Sequence, residues 1–499
     1  MCAFFRIFYK CEANLNIYVS SDSSQVDIDD STLSRVIFTT GEVCLIGFKQ
    51  DEDSSEKSTM TTKSSQKQTY NHIQGLKVRP SNRLTRLIQS LLPLTLPSVD
   101  GTKGREVSQM LRAHAFVAYG KICLRDESLA RESLNIFAQE IGSKSNDAVR
   151  SNALLVLGDL CVCYTHLVDK FIPLMASCLQ PQIDCGEESN SSIVQQHAII
   201  LFSNLLLQDY VKWKGLLFNR FVAAAVSKDV IVANLAKTLL CGPLLAKQPN
   251  LFSNNFIDTL FRLNGCESHS MHTSQTMCGT DEGVPNNPTV LKMNSLDERL
   301  KIYNLLLDHM TDEEKIGVTA RLAKDVLKSA TECTGYLSQA ASTHGGVQGE
   351  SNRQLHGAYR LLSDCFSILT NPRLLIGKSK QTDTSEESDL NATMTSFGPN
   401  ASQLSCVKGR LLSKISRKHM IETVLPILCN LKVILEKSRS PLLKNLMEYM
   451  VCIFRQFKHE VNEVLASDTT LLQEIQYDTC QFEKNQHLEN SSELEPGTL

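Results

Sequence analysis

Residues 147–180, DAVRSNALLVLGDLCVCYTHLVDKFIPLMASCLQ, decide how this chain folds. Asp147 suits a helix N-terminus, where a carboxylate accepts from unpaired backbone N–H groups and meets the positive end of the helix dipole. Ala153, Gly158 and Leu160 then mark a helix with a small residue at its middle. After it, HLVDKFIPLMASCL (166–179) carries apolar residues at three- and four-residue spacing, the signature of a second, amphipathic helix. Glycine inside a helix costs stability, so Gly158 predicts a neighbouring helix that needs the space. Two such helices cannot bury their apolar faces alone, but a stack of pairs can.

Working outward, the same pattern (Ala, four residues, a small residue, one residue, an aliphatic one) recurs at Ala115, Gly120, Ile122 and at Ala198, Ser203, Leu205. Ser203 is thereby expected to act as Gly120 and Gly158 do, as the small position of its repeat. A degenerate copy stands at Ala236, Cys241, Pro243, so the alanines are 38, 45 and 38 residues apart. Upstream, VIFTTGEVC (36–44) places Gly41 where AFVAYGKIC (115–123) places Gly120. Amphipathic segments fill the intervals, ESLARESLNIFAQEI (127–141) and WKGLLFNRFVAAAV (213–226) among them. The expected fold is all-α: an α-solenoid of HEAT-like helical hairpins, an armadillo-type superhelix. Its Asp/Arg ladder is incomplete, since Gln195 and Gln196 replace the pair in one repeat and Asp229 lacks an arginine in the next.

Composition agrees with helices. Aromatics are 6% with one Trp, and 24 Gly and 14 Pro are too few for the frequent turns of a β-sandwich. The 17 cysteines are odd in number and scattered, and those in apolar runs, such as Cys161 and Cys452, read as small buried hydrophobes in a reducing compartment. No apolar run is expected to approach the ~18 residues of a membrane span, and MCAFFRIFYK lacks a signal-peptide core, so neither membrane nor secretion is expected. Polar, low-complexity stretches divide the chain. The expected order is a helical-repeat fragment (1–48), a disordered insertion (49–78), the HEAT solenoid (79–264) and a second insertion (265–295). A helical hairpin (296–334), a linker (335–354), a helix (355–376), a disordered linker (377–407), a helical block (408–480) and an acidic tail (481–499) follow.

No catalytic constellation emerges. Gly101-Thr-Lys-Gly104 lacks the spacing of a phosphate loop, and the glycines of HGGVQGE (344–350) sit in a polar linker without the strand and helix such a loop needs. Asp159, His114 and His197 are expected as side chains of the repeat. Cys266, His269, His272 and Cys278 have the residue types of a tetrahedral zinc site, but their spacing matches no standard finger, and chance clustering in a linker is the expected reading. No cofactor and no small-molecule substrate are implied. Charge is more informative. The chain carries 51 Lys+Arg against 54 Asp+Glu, yet Lys408, Arg410, Lys414, Arg417 and Lys418 fall within eleven residues free of acids. Residues 76–150, with Arg79, Arg83 and Arg86, hold 12 Lys+Arg against 7 Asp+Glu, whereas residues 460–499 hold 9 acids and 1 lysine. These basic segments are DNA-binding candidates, suited to non-specific contact with duplex phosphates; a solvated helix face is the alternative.

Three strings carry a resemblance. VRSNALLVLGDLCVCYTHLVDKFIPLMASCLQ (149–180) resembles the HEAT segment of the large non-SMC condensin subunits. LLLQDYVKWKGLLFNRFVAAAV (205–226), with its Tyr210-Val-Lys-Trp-Lys-Gly215, and RKHMIETVLPILCNLKVILEKSRSPLLKNLMEYMVCIFRQFKHEVNEVL (417–465) resemble the D-type HEAT subunit of condensin II. The resemblance covers 84–264, 295–330 and 417–478. It implies a longer parent protein of which this chain is a C-terminal-half piece or a truncated gene reading. It further implies a non-catalytic scaffold for kleisin and SMC ATPase subunits, contact with DNA, chromatin and histone tails, and a nuclear place on mitotic chromosomes. Gln195 stands where the family usually has a basic residue, and no aromatic cage for a methylated tail is visible. A scaffold solenoid of the importin, adaptin or phosphatase type is the competing reading.

Overall fold

The computed structural model describes residues 2–20, 29–56, 80–95, 106–142, 146–181, 192–214, 216–266, 295–332, 350–374, 411–457 and parts of 473–484. The disorder expected at 57–78, 267–294, 335–349 and 377–407 lies outside them. The described residues are helical, with one isolated antiparallel bridge between Thr95 and Glu106 and no strand. They divide into two units, Met1–Lys247 and Gln248–Leu499.

The first unit runs α1 (Cys2–Ser20), α2 (Asp30–Glu56), α3 (Asn82–Ser90), α4 (Gln109–Cys123), α5 (Glu127–Gly142), α6 (Asp147–Cys163), α7 (Thr165–Val168) and α8 (Ile172–Ser177). It continues with α9 (Ser192–Leu207), α10 (Leu217–Ala225) and α11 (Val230–Leu239), which passes through a π turn (Leu240–Leu244) into α12 (Leu245–Lys247). Helices α2, α4, α6, α9 and α11 stand side by side in that order, and α5, α8 and α10 form a second layer: the stacked hairpins of an α-solenoid. Side-chain caps start the stacked helices. Ser108 accepts from the N–H of Leu111, Asn146 from Ala148, and Asp229 from Ile231 and Val232.

The small repeat residues sit where successive helices meet. A Cβ on Gly120 would overlap Val156 of α6, and one on Gly158 would overlap Leu201 of α9. One on Gly41 would lie 3.1 Å from the Cα of Ala118 on α4, so three successive steps use the same device. Ala115, Ala153 and Ala198 are fully buried between the layers. There Phe116 meets Phe137 edge-on at 5.9 Å, and the Tyr119 hydroxyl reaches Ser133 Oγ at 2.8 Å. Eight residues before the small position stand Arg112, Arg150 and Gln195, all buried. Arg112 Nε donates to Leu92 O at 2.8 Å and its Nη2 to Glu140 Oε1 at 2.9 Å, while Gln195 Nε2 donates to Leu179 O at 3.4 Å. A neutral amide thus reaches the end of the preceding hairpin as the Arg112 guanidinium does two repeats earlier.

Several expectations need correction. Ser203 of α9 is not the plain spacer that Gly120 and Gly158 are. It is a buried polar residue, 1% exposed, whose hydroxyl must find an acceptor, and its Oγ donates to Ile199 O at 2.7 Å, one turn back in the same helix. The fourth small position is therefore a side chain folded onto its own backbone, where the glycines have none. The second helix of the quoted stretch is broken into α7, a 3-10 turn (Asp169–Phe171) and α8, because Pro173 fits only the first turn of a new helix. Helix α2 continues to Glu56, into the segment expected to be disordered, since its Glu, Asp and Lys tolerate helix however polar they are. The expectation of no membrane-length run also fails. Val230–Lys247 is one helical run of 18 residues, long and apolar enough by length and composition to cross a membrane. Lys237 and Pro243 disguise it in the sequence. In the fold its Val232, Ala236, Leu240 and Leu244 are buried within the unit.

Asp229 supplies a pH-dependent contribution at the start of α11. The Ser192 side chain, then the Val232 and Ile231 N–H groups, hold its carboxyl below the usual Asp range, against the opposing effect of desolvation. A carboxyl depressed on folding stabilises above its unfolded pKa of about 3.9 and loses that contribution as pH falls through its lower folded value. Asp229→Asn should therefore lower the melting temperature at pH 6 and shrink its fall between about pH 4 and 2.5, read by circular dichroism at each pH.

The second unit holds α13 (Leu251–Leu263), α14 (Leu296–Asp308) and α15 (Asp312–Arg321), which passes through a π turn (Leu322–Lys328) into α16 (Ser329–Glu332). After α17 (Glu350–Leu369), residues 411–419 are helical and lead through a third π turn (Met420–Val424) into α18 (Leu425–Lys437), followed by α19 (Leu442–Gln456). Thr311 and Glu314 close a capping box at the start of α15. Helix α13 packs on α14, α15 and α17, so the solenoid expected over 79–264 is divided after Lys247. Helix α17 begins inside the expected linker 335–354 and stops at Leu369, short of 376, and residues 481, 482 and 484 of the expected tail are helical.

Candidate nucleic-acid interface

In the basic segment of the second unit, Lys414, Arg417 and Lys418 are exposed on the helical run 411–419. Spacings of three and four residues put them on one face. Leu411 and Ile415 are exposed on the same run. Lys418 Nζ lies 3.9 Å from Glu422 Oε1 with both side chains mostly in solvent, a pair worth little. Lys408 and Arg410 lie outside the described residues. The acidic segment does not neutralise this face through Asp478, which instead pairs at 2.7 Å with Lys432, a nearly buried lysine of α18 that also holds Glu436 at 2.8 Å.

In the first unit Arg83 and Arg86 are exposed on α3. Arg83 is engaged with α1, its Nη2 donating to Asn16 Oδ1 at 3.0 Å and its Nε lying 3.6 Å from Glu12 Oε1. Arg79 lies outside the described residues. Of the zinc candidates only Cys266 is described. Burial pushes its thiol up to about 11, Arg360 working against that, which disfavours the thiolate a metal would need. His269, His272 and Cys278 lie outside, and the described residues contain no group of three metal-ligating side chains. Asp159 is exposed on α6. Desolvation by surrounding protein still raises its carboxyl pKa, with Lys121 opposing.

Sequence reasoning missed the densest polar cluster. Asp364 of α17 is wholly buried and its Oδ2 accepts from Arg299 Nε at 2.6 Å, Tyr303 OH at 2.8 Å and Asn264 Nδ2 at 2.9 Å. Its Oδ1 accepts from Arg299 Nη2 at 2.8 Å, completing a bidentate pair. Burial, then the charge of Asp364, raises the Tyr303 pKa, so the phenol stays protonated and donates. Burial alone would lower Arg299, but hydrogen bonding and the charge of Asp364 more than offset it. Closed to solvent and saturated with donors, this carboxylate ties α14 and the end of α13 to α17. The one local signal was an aspartate inside the apolar run LLSDCFSIL (361–369).

Comparison with known proteins connects this frame to a family. HEAT-repeat models of condensin-2 complex subunit D3-like proteins match residues 30–141 and 378–492, and a model of the non-SMC mitotic condensation complex subunit 1 matches 148–334. Condensin-2 complex subunit D3-L of Xenopus laevis is 26% identical over 502 residues, covering 97% of this chain and 30% of its own length. Subunit D3 of Mus musculus is 30% identical over 422 residues, covering 80% of this chain and 26% of its own. Subunit CAP-D3 of Arabidopsis thaliana is 28% identical over 384 residues, covering 76% and 26%. The chain spans between 26% and 30% of the length of these relatives. With its stacked helical hairpins and the D3-type matches near both ends, the chain belongs to the D3-type HEAT-repeat subunits of condensin II.

Proposed function

We propose that this chain serves as a non-catalytic scaffold of condensin II in the nucleus and on mitotic chromosomes, holding kleisin and SMC ATPase subunits and touching duplex DNA. The observation that carries the reading is the succession of condensin family matches along a stack of helical hairpins. Such a stack offers long side-chain surfaces for peptide or duplex partners without a deep pocket. Affinity purification of the tagged chain followed by mass spectrometry tests it. SMC and kleisin subunits are the expected companions; transport-receptor, coat or phosphatase subunits in their place would reject the reading.

The DNA contact falls to the exposed face of Lys414, Arg417 and Lys418. Each cation on a phosphate contributes about -0.9 to the slope of log affinity against log salt, so the three together account for about -2.7. Changing all three to Glu should flatten the slope by that amount, lower affinity, and leave helicity intact, with duplexes of different sequence bound alike. An unchanged slope would remove DNA contact from this face.

A further inference from the structure

In the second unit a piece of chain from beyond α19 returns to α18. Lys432 Nζ of α18 lies 2.7 Å from Asp478 Oδ2 of that piece and 2.8 Å from Glu436 Oε1 of its own helix. The Lys432 side chain is only 4% open to solvent, whereas that of Asp478 is 32% open. A buried ammonium is costly unless its donors are met, and it has three of them. Helix α18 supplies one acceptor itself, four residues on. Asp478 brings another from outside the helix.

The rest of the returning piece is lightly held. Residues 476–482 are helical, and among the described residues of 473–484 Thr479 alone is buried. Tyr477 is 64% open, and Gln473, Gln476, Cys480 and Lys484 are exposed. The Thr479 hydroxyl donates to Gln476 O at 3.0 Å, inside the segment's own turn. So short a helix does not persist by itself in water, so docking on α18 keeps it helical. Helix α18, by contrast, has Leu428, Leu431 and Leu435 wholly buried and packs on α19, on α16 and on the π turn Leu322–Lys328. A segment with so few buried contacts opens far more readily than the core beneath it.

We infer that residues 476–482 form a releasable strap, clasped by Asp478 on Lys432, which keeps this surface of α18 closed to any other carboxylate-bearing segment. Closed, the strap satisfies a donor of the buried ammonium; open, it withdraws that acceptor and uncovers the place where it sat. The strap itself displays what fits there: a short helix with an aspartate next to a small buried residue. The contact is thus autoinhibitory. An acidic helical segment from another chain reaches Lys432 only by displacing the one already seated. The inference stands apart from both the condensin reading and the DNA contact of residues 414–418.

Hydrogen exchange of the full chain, read by mass spectrometry, tests the strap. Its amides should exchange about tenfold slower than those of a synthetic peptide of residues 473–485, and about a hundredfold faster than those of residues 428–435. Asp478→Asn and Lys432→Gln should each speed strap exchange about tenfold, and the two together no more than either alone, as a shared contact requires. Asp478→Asn, which alters nothing on α18, is the deciding variant, and the α18 amides should keep their rate in it. Fluorescence anisotropy with the labelled peptide then reads the uncovered surface. The peptide should bind the Asp478→Asn chain about tenfold tighter than the wild-type chain, whose site is filled most of the time. A peptide carrying Asp478→Asn should lose that advantage. Strap amides that exchange in step with α18, or as fast as in the free peptide, overturn the inference. So does an unchanged strap rate in Asp478→Asn, and so does equal binding of the peptide to both chains.

Discussion

Asp364→Ala should unfold the second unit at markedly lower urea, with a loss of about 3–5 kcal/mol. The substitution strands the Arg299 guanidinium in a site only 4% open to solvent, with the Tyr303 hydroxyl and the Asn264 amide losing their acceptor beside it. An unpaired buried charge costs far more than the intact pair contributes. Removing both charges should therefore be much milder. Asp364→Leu combined with Arg299→Met should cost less than Asp364→Ala alone, the remaining loss coming from the Tyr303 hydroxyl and the Asn264 amide, which still lack their acceptor. Because the chain has two compact units, the measurement is the midpoint of the transition belonging to the second unit, followed by a probe confined to it. A single mutant as stable as wild type would show that water reaches Arg299, and the closed cluster would be refuted.

Gly158→Leu should destabilise the first unit by about 1–3 kcal/mol, because a well-packed contact cannot absorb extra methylenes without shifting backbone or rotamers. The partner is specific. A Cβ at 158 meets the Leu201 side chain before anything else, so even Gly158→Ala should be felt. Leu201→Ala placed in the Gly158→Ala background should recover part of that loss, and the double-mutant cycle should give a coupling of about 0.5–3 kcal/mol. Additive losses would mean that α6 and α9 are in a different register from the one described.

What could be read from the chain follows the range of the interactions. Gly158, Ala153 and their counterparts were legible because steric need is local and the repeat states it three times over. Ser203 fits that pattern by size alone; the bond of its hydroxyl to Ile199 O is a matter of rotamer, which spacing does not reveal. The amphipathic partner helices were legible as faces but not as boundaries; Pro173 divides one, and α2 runs on past the repeat-like segment to Glu56 in helix-tolerant charged residues. The Asp364 cluster was illegible because its partners lie 61, 65 and 100 residues away, and nothing local distinguishes an aspartate that will be buried from one that will not. At the candidate interface, residue type and spacing in 414–418 were enough to give one exposed face. Arg83 shows the limit of that reasoning, for its engagement with Glu12 and Asn16 depends on where α1 packs.

The Gly41, Gly120 and Gly158 steps also have a mechanical consequence. Each joins only adjacent members of the stack, so tension applied along it is carried in series, each step bearing the full load. Side-to-side sliding is resisted by interlocked side chains of fixed height, whereas a slight opening of every step needs only small changes in van der Waals distance. Such an array lengthens by sharing strain among its joints before any of them parts, and it closes again when the pull stops. Spring-like compliance is therefore built into the packing of the helices, without a flexible linker to provide it.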